Sequence, residues 1–378
     1  MKKSYLMTPG PTPVPTEALL AMAKPIIHHR TGQFMKVLEE AVSGLKYVMQ
    51  TENDVFIFTS SGTGAMESAV SNVLSPGDKA LVVNGGKFGE RWGELCKAFG
   101  AEAIIIDCEW GKAVDPKIVE SKLKQNPDIK AVYATLCETS TGVINDIEAI
   151  GKVVAKTQAI LVVDSISGLG AVECKTDAWL IDINVSGSQK GLMIPPGLAF
   201  VSVSKKAWKT VEQAKNNKYY FSYKAAKKSA DNTDTPWTPA VSLVVALVET
   251  LKIIKTETLE KILERHKKMA AAVRAAASAL KLKLLAPNAS SDAVTAMLLP
   301  ESVDGEKLVK TMRDEYGVGV AGGQDKLKGK ICRIATMGFM TEFDVIVAIA
   351  CLEVVLKKMG YGVELGSGVK AAQEVLFG

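Results

Sequence analysis

Histidine is scarce in this sequence: its 378 residues include only three, His28, His29 and His266. His266 lies in the charged segment 264–268, which is typical of the exposed face of a helix. A Ser-His-Asp hydrolase or a histidine-rich zinc site would therefore have to use the adjacent pair at 28 and 29, whose side chains usually diverge. This shortage argues against both kinds of site, and we predict no bound metal.

The sequence also lacks any C-x-x-C pair, a spacing shared by many zinc sites and redox centres. Its six cysteines are Cys96, Cys108, Cys137, Cys174, Cys332 and Cys351. Four of them have apolar or strand-like surroundings in the sequence, and free cysteine is commonly buried. We therefore expect reduced thiols in the core rather than a thiol nucleophile.

No apolar run approaches the roughly 20 residues that span a membrane, and residues 1–10 lack the apolar stretch of a signal peptide. Charge of one sign is not in large excess either, because 46 Lys and Arg against 41 Asp and Glu give a net charge of +5. The lysines concentrated between 205 and 228 are typical of a solvated helix. We expect a cytoplasmic protein that binds neither membrane nor nucleic acid.

What the sequence does contain is a regular alternation of strand-like and helix-like segments between residues 35 and 260. Runs of apolar residues without polar alternation are typical of strands buried on both faces of a parallel sheet. Seven such runs occur, at 54–59, 79–83, 103–106, 130–135, 159–165, 181–185 and 198–203. They predict an α/β fold with an open, mainly parallel seven-stranded sheet and helices on both of its faces.

The pattern changes after a long helical region at 241–280. The elements beyond it are strands at 291–299 and 329–335, a helix at 305–316 and a final helix at 343–359. This arrangement indicates a smaller α+β domain. We divide the chain into an N-terminal arm (1–20, extended over its proline-rich part), a large domain (21–265) and a small C-terminal domain (266–378).

An acid and an amine follow two neighbouring buried strands. Asp164 ends the apolar run 159–163, and Lys190 follows the run 181–185 in the turn Ser-Gly-Ser-Gln-Lys-Gly. Ligand sites in such sheets lie outside the carboxyl ends of the strands. Pyridoxal phosphate (PLP) needs a lysine for its Schiff base and a carboxylate for its pyridinium nitrogen, so the pair predicts a PLP site. A lysine buried on this constrained loop would have the lowered pKa that imine chemistry requires.

The segment Ser61-Gly62-Thr63-Gly64 joins a strand to a helix. Hydroxyl groups and free backbone N–H groups at a helix start can hold a phosphate. No Gly-Lys-Ser/Thr follows, which excludes a P-loop, and Glu67 stands where a dinucleotide fingerprint has its third glycine. The segment favours a single phosphate, although a simple helix cap with a tight turn would explain it equally well.

Three further side chains could reach a ligand at this edge, and each has a structural alternative. Thr139, in Glu-Thr-Ser-Thr-Gly, could bind the cofactor's phenolic oxygen or phosphate, or could simply cap a strand. Phe88 could stack on a pyridine ring or pack in the core. Arg333 lies in an apolar strand and needs a negative partner, which is either a protein carboxylate or the carboxylate of a substrate.

Together these motifs resemble the class-V, fold-type-I PLP-dependent aminotransferases, and in particular the alanine–glyoxylate / serine–pyruvate aminotransferase group. The matching segments keep the family's order over nearly the whole chain: Thr8-Pro9-Gly10-Pro11, Ser61-Gly62-Thr63-Gly64, Glu138-Thr139-Ser140-Thr141-Gly142, Val163-Asp164-Ser165, Ser186-Gly187-Ser188-Gln189-Lys190, Pro195-Pro196-Gly197 and Arg333-Ile334. The resemblance implies the PLP-dependent transferase fold of type I.

The resemblance also implies a role for each matching residue. Lys190 would hold PLP and move the substrate's α-proton, and Asp164 would pair with the pyridinium N–H. The phosphate would be bound by Ser61, Gly62, Thr63 and Gln189. Thr139 would contact the ring hydroxyl, and Phe88 would stack on the ring, where several relatives carry tryptophan.

For the substrate and the partner subunit the resemblance implies four further residues. Gly10 and Arg333 would bind the substrate, with Arg333 holding its carboxylate. Thr235 and Thr238 match positions that reach the phosphate of the neighbouring subunit, which implies a homodimer with shared active sites. The implied reaction moves an amino group from alanine or serine to a 2-oxo acid such as glyoxylate or pyruvate, with ping-pong kinetics.

Four alternatives differ from this reading in specific features. Aspartate or 2-aminoethylphosphonate could be the donor, because the sequence does not reveal which residues line the pocket for the substrate side chain. A cysteine desulfurase would normally carry a histidine beside the lysine, where this chain has Gln189. A non-catalytic PLP-fold subunit of a larger complex would not need Lys190, Asp164 and Arg333. A NAD-dependent oxidoreductase would need the third glycine and an acid near the end of the next strand.

Overall fold

The computed structural model describes residues 3–378, and its strands and helices are numbered in chain order. The strands are β1 (Tyr5–Leu6), β2 (Asp54–Ser60), β3 (Lys79–Asn84), β4 (Glu102–Asp107), β5 (Ile129–Thr135), β6 (Cys137–Glu138), β7 (Val143–Ile144), β8 (Ile160–Asp164), β9 (Ile183–Gly187), β10 (Gly197–Val203), β11 (Lys283–Leu284), β12 (Val294–Leu298), β13 (Val318–Gly319), β14 (Ala321–Gly322) and β15 (Ile331–Ala335).

The helices lie between and after these strands. They are α1 (Thr16–Met22), α2 (Gly32–Met49), α3 (Gly62–Ser71), α4 (Lys87–Ala98), α5 (Pro116–Gln125), α6 (Ile147–Val154), α7 (Lys205–Gln213), α8 (Tyr223–Ala230), α9 (Val241–Glu257), α10 (Leu259–Ala279), α11 (Gly305–Tyr316), α12 (Glu342–Lys358) and α13 (Ser367–Phe377). Within residues 3–378, no helix combines the length and the apolar character that a membrane crossing requires.

A seven-stranded sheet forms the centre of the large domain, with the order β2-β10-β9-β8-β5-β3-β4. All neighbouring strands are parallel except β10, which runs antiparallel to both β9 and β2. The sheet is covered on both faces: Leu161 and Val163 of β8 point into one apolar cluster, while Ile160 and Val162 point into the other. The predicted α/β fold with a mainly parallel sheet is confirmed.

The strand register places several candidate residues along one edge of this sheet. Asp164 ends the central strand β8, opposite Thr135 of β5 and Val185 of β9. Gly187 at the end of β9 lies opposite Ala199 of β10. The carboxyl ends of the parallel strands therefore meet at this edge, where ligands of such sheets bind.

The second, smaller sheet is antiparallel, with the order β11-β12-β15-β14, and packs with α10, α11, α12 and α13 around its own apolar cluster. Near the N-terminus, β1 pairs with β13 and so ties the arm to this part of the molecule. Helix α10 contributes to both apolar clusters, through Ile262 to one and Met269 to the other. The proposed domain boundary at 265/266 falls inside this helix, and the division into domains stays a prediction.

Two expectations about the C-terminal half need correction. The helical region at 241–280 consists of two helices, which meet at Thr258, where φ is +73°. The helix at 343–359 is not the final one, because α13 follows it. Buried Glu353 accepts hydrogen bonds from the backbone N–H groups of Gly366 (2.8 Å) and Gly368 (2.6 Å), so a side chain from α12 caps the start of α13.

The expectation that His266 is exposed is wrong. The side chain is fully buried, with Nδ1 3.3 Å from the carbonyl oxygen of Ala171 and Nε2 3.4 Å from that of Gly338. Burial lowers the pKa of His266 to about 4, so the ring is neutral at pH 7. The spacing of His266 with Met269, Ala270 and Val273 follows the buried stripe of α10, and this spacing is visible in the sequence.

Candidate active site

Lys190 lies on the tight loop between β9 and β10. Ser188 closes this loop, because its hydroxyl donates to the carbonyl oxygen of Pro195 (2.8 Å) and accepts from the N–H of Leu198 (3.2 Å). Only 9% of Lys190 is exposed, and burial lowers its pKa to about 8. An amine with this pKa is neutral in a larger fraction near pH 7 than an exposed lysine, which favours attack on a carbonyl group.

Asp164 is equally buried, at the end of the central strand. Its Oδ1 accepts a hydrogen bond from the N–H of Ile166 (2.8 Å), which fixes the carboxyl group at the edge of the sheet. Burial raises its pKa to about 7, the nearby negative charge of Glu138 adds to this, and Arg91 and Lys190 oppose it. A buried carboxylate of this kind is stabilised by a cationic N–H partner, which a pyridinium ring supplies.

The N-terminal arm closes the space around Lys190. The Lys190 ammonium group donates to the carbonyl oxygen of Pro9, and the Thr12 hydroxyl donates to the carbonyl oxygen of Lys190 (2.9 Å). Gly10 has φ +118°, and a Cβ atom there would collide with the Lys190 side chain. The structure thus brings Gly10 next to Lys190, and only glycine fits this position.

The segment 61–64 forms the N-terminus of α3 at the same edge. Ser61 is the residue before the helix, and Gly62 and Thr63 begin it, so their backbone N–H groups precede the intrahelical hydrogen bonds. A Cβ atom on Gly187 would lie 3.5 Å from Cα of Gly62 and 3.2 Å from Oε1 of Gln189, so the start of α3 and the Gln189 side chain both lie close to the end of β9. Such an arrangement suits a phosphate group at the end of β9, and its role as a phosphate cradle stays a prediction.

Glu138 also lies in this site, although the sequence predicted no role for it beyond its place in the segment 138–142. It is fully buried, and its Oε2 accepts from the backbone N–H groups of Phe88 (3.1 Å) and Gly89 (3.0 Å), while its Oε1 accepts from the Ser140 hydroxyl (2.5 Å). Burial raises the pKa of Glu138. The carboxyl group caps α4 and holds Phe88 at the edge of the sheet, next to the turn that carries Thr139.

Arg333 connects the small sheet to this edge. Its Nη1 donates to the carbonyl oxygen of Thr139 (2.6 Å), and its Nε and Nη2 both donate to that of Gly322 (2.9 and 2.6 Å). No carboxylate of residues 3–378 forms an ion pair with it; burial lowers its pKa, and the negative charge of the buried Glu138 opposes this without a direct contact. Three of its five N–H donors are used, which leaves two for a ligand.

Thr235 and Thr238 lie on the loop before α9, apart from this group. The Thr235 hydroxyl donates to the carbonyl oxygen of Trp237 (2.8 Å), and its own carbonyl oxygen accepts from Arg30 (2.7 Å), which also pairs with Asp234. Thr238 is exposed. Neither hydroxyl contacts Lys190 or Asp164 within the described chain, and their role in a partner's site stays a prediction.

Unpaired polar atoms also concentrate at the edge where these residues meet. Four buried side-chain atoms close to the ends of β3, β5 and β9 have no hydrogen-bond partner in the described residues: Asn84 Oδ1, Thr135 Oγ1, Ser186 Oγ and Gln189 Oε1. Buried polar groups in proteins are usually paired, so their grouping indicates a polar ligand at this edge. The buried amine, the buried carboxyl group and the helix N-terminus together fit PLP.

Comparison with known proteins agrees with this geometry. The family model described as aminotransferase class-V matches residues 4–345. One relative, the soluble hydrogenase 42 kDa subunit of Anabaena cylindrica, is 47% identical, and the match covers 99% of this chain and 98% of the relative.

Two other relatives are named as aminotransferases, and each match covers 98% of this chain. The L-aspartate–glyoxylate aminotransferase of Paracoccus denitrificans is 38% identical, with 95% of that protein covered. The serine–glyoxylate aminotransferase of Hyphomicrobium methylovorum is also 38% identical, with 94% covered.

A solved structure has the same fold over almost the full length. The ureidoglycine–glyoxylate aminotransferase from Bacillus subtilis superposes with a TM-score of 0.94 and 29% sequence identity, covering 99% of this chain and 98% of that one. The fold, the family model and the relatives named as aminotransferases agree. The chain therefore belongs to the aminotransferase class-V family and is a PLP-dependent transaminase of fold type I.

Proposed function

We propose that the protein is a cytoplasmic homodimer that transfers the amino group of alanine or serine to a 2-oxo acid such as glyoxylate or pyruvate, in two half-reactions with ping-pong kinetics. One observation carries this proposal. A buried amine of lowered pKa, Lys190, lies on the loop after one strand, and a buried carboxyl group, Asp164, ends the neighbouring strand of the same sheet.

Each residue of the site has a separate role in this proposal. PLP supplies an electron sink for the carbanion that forms when the α-proton leaves. Asp164 would hold the protonated ring nitrogen, and Lys190 would anchor the cofactor and, as a free amine, would accept and return the α-proton. Arg333 orients the substrate carboxylate with the N–H donors that its backbone partners leave unused. Phe88 would stack on the ring, and the Thr139 hydroxyl would hydrogen-bond the ring oxygen.

The choice of small substrates is supported by the relatives. Both aminotransferases at 38% identity are named for glyoxylate, and one of them is named for serine. The other is named for aspartate, which is therefore the nearest competing donor. Binding aspartate would require a second positive group for its second carboxylate. We assign the partner-subunit role to Thr235 and Thr238 because the family resemblance places these positions at the phosphate of the neighbouring subunit, and the Thr238 side chain is exposed.

A second candidate function comes from the relative at 47% identity, which is named as a hydrogenase subunit. In that case the chain would serve a larger complex without performing transamination itself. The presence of Lys190, Asp164 and Arg333, each of them buried, favours the catalytic proposal. An assay of transamination distinguishes the two functions.

A donor and acceptor panel tests the proposed substrates. The donors are L-alanine, L-serine, L-aspartate and 2-aminoethylphosphonate, each combined with glyoxylate, pyruvate and 2-oxoglutarate. We expect the highest kcat/KM for alanine or serine with glyoxylate or pyruvate, and parallel double-reciprocal plots. A clear preference for aspartate would replace the proposed donor, and no turnover with any pair would support the hydrogenase-subunit role.

The pH dependence of cofactor capture tests the environment of Lys190. We expect the rate at which the apoprotein binds PLP to rise with pH through about 8 and then to level off, because the neutral amine is the nucleophile and burial lowers the pKa of Lys190 to about 8. Stopped-flow absorbance measures this rate. The reaction of PLP with an exposed model amine, N-acetyl-lysine amide, in the same buffers corrects for the titration of the cofactor. If the capture rate kept rising up to about pH 10, as the rate for the model amine does, the lowered pKa of Lys190 would be contradicted.

A further inference from the structure

Arg91 is a cation at the phosphate cradle to which the sequence analysis gave no role. It lies in the second turn of α4, and its Nη1 donates a hydrogen bond to the hydroxyl oxygen of Thr63 (3.2 Å) in the first turn of α3. Its guanidinium group also lies over the ring of Phe88, 5.1 Å from the centroid. Arg91 thus contacts both the cradle and the residue expected to stack on the cofactor ring.

Arg91 has no ion-pair partner in the part of the chain that the structure describes. Among residues 3–378 no carboxylate forms an ion pair with it, whereas Lys87 on the same helix pairs with Glu90 and Asp325. The guanidinium group is partly buried, and its positive charge lowers the pKa of both Asp164 and Lys190. An arginine held at this edge without a carboxylate is suited to bind an anion.

The cradle itself lacks a positive side chain. Ser61, Gly62, Thr63 and Gln189 supply backbone N–H groups, hydroxyl groups and an amide, and Lys190 is required for the covalent anchoring of the cofactor. A phosphate monoester carries up to two negative charges near neutral pH. Without a positively charged side chain, the negative charge of the phosphate would be balanced mainly by the partial positive charge of the helix N-terminus.

We propose that Arg91 is a further cofactor-binding residue, which supplies the positive charge of the phosphate cradle and orients the hydroxyl group of Thr63. Because the hydroxyl oxygen accepts from Arg91, its proton points away from the guanidinium group and is available to a phosphate oxygen. This assignment rests on the proposed function, in which the segment 61–64 holds the phosphate of PLP.

The test compares the binding of PLP with that of pyridoxal, which has the same ring but no phosphate. Dissociation constants are measured by absorbance titration of the apoproteins, for the wild type and for Arg91→Gln, Arg91→Lys and Lys97→Gln. Lys97 is an exposed residue in the last turn of the same helix, and its substitution removes the same charge. Thermal melting of each apoprotein verifies the fold.

We expect Arg91→Gln to raise the dissociation constant for PLP about 10- to 100-fold, the range for a hydrogen bond to a charged group, and that for pyridoxal less than about twofold. Arg91→Lys should restore part of the loss, and Lys97→Gln should match the wild type. In a cycle with Thr63→Val, the two losses should be less than additive, because the groups act through one contact.

Two results would overturn the role of Arg91 while leaving the cradle intact. One is an unchanged affinity of Arg91→Gln for PLP, and the other is an equal loss for PLP and pyridoxal, which marks a structural effect. A wild-type protein that binds PLP no better than pyridoxal would overturn the cradle assignment, and the role of Arg91 with it.

Discussion

Replacing Lys190 by alanine is expected to reduce the rate of transamination by at least about 10⁴-fold, the upper range for loss of a positioned acid–base group. The variant loses the amine that anchors the cofactor and the base that moves the α-proton, so the visible absorbance of the bound cofactor should be lost as well. The measurement is kcat/KM for L-alanine with glyoxylate, together with the absorbance spectrum of the purified protein.

A matched control separates this effect from a general loss of charge. Lys209→Ala removes an exposed lysine on α7 and should leave both the spectrum and the rate unchanged. The Lys190→Ala protein should still fold, because the substitution removes a buried amine whose charged form is disfavoured. If a folded Lys190→Ala protein retained full transamination, Lys190 would have no place in the chemistry.

The second large effect is expected for Arg333→Gln, which should lower kcat/KM for L-alanine about 100-fold through a higher KM. The guanidinium group has two donors left after its bonds to Thr139 and Gly322, and these can hold a substrate carboxylate in bidentate geometry. L-Alaninamide, which lacks the carboxylate, supplies the comparison. The preference of the wild type for alanine over alaninamide should largely disappear in Arg333→Gln.

Because Arg333 also binds two backbone carbonyl groups, part of any loss could come from displaced loops. Arg333→Lys keeps the charge but not the planar fork, and should fall between wild type and Arg333→Gln. Arg313→Gln, an exposed substitution in α11, should leave the preference unchanged. An equal loss for alanine and alaninamide would show that Arg333 only supports the structure, and unchanged kinetics would remove it from the site.

The architecture of the large domain was predictable because its strands are buried on both faces. Such strands, of which β8 and β9 are examples, remain apolar without alternation and stand out in the sequence. The positions of Asp164 and Lys190 in the site were predictable for the same reason, since polar residues directly after such strands lie at the edge where ligands bind. The antiparallel direction of β10 was also accessible, because residues 188–196 are too few for a parallel crossover.

The parts that could not be predicted depend on contacts between distant residues. Glu138 caps a helix about 50 positions earlier in the chain, and Arg91 reaches Thr63 on a different helix. The start of α13 has no capping side chain of its own and relies on Glu353 of α12. Each of these contacts joins residues of different structural elements, so local sequence patterns do not reveal the pairing.

Some of the site remains a set of predictions from the sequence. The structure groups Gly10, Gln189 and the 61–64 segment around the loop of Lys190, but a role toward the cofactor or the substrate needs a binding measurement for each. The role proposed for Thr235 and Thr238 requires a second copy of the chain. The role proposed for Arg91 rests on its contact with Thr63 and on the lack of an ion-pair partner among residues 3–378, and no sequence motif marks it.

A single-turnover form of the donor experiment tests the central claim most directly. The purified holoenzyme is mixed with L-alanine alone, and later with glyoxylate alone after the alanine has been removed. The account predicts about one pyruvate released per subunit in the first step, and about one glycine formed per subunit in the second, because each half-reaction stops when the amino group has moved. If neither alanine nor any other donor of the panel released its carbonyl product, which is a 2-oxo acid from the amino acids and an aldehyde from 2-aminoethylphosphonate, transamination by this protein would be contradicted.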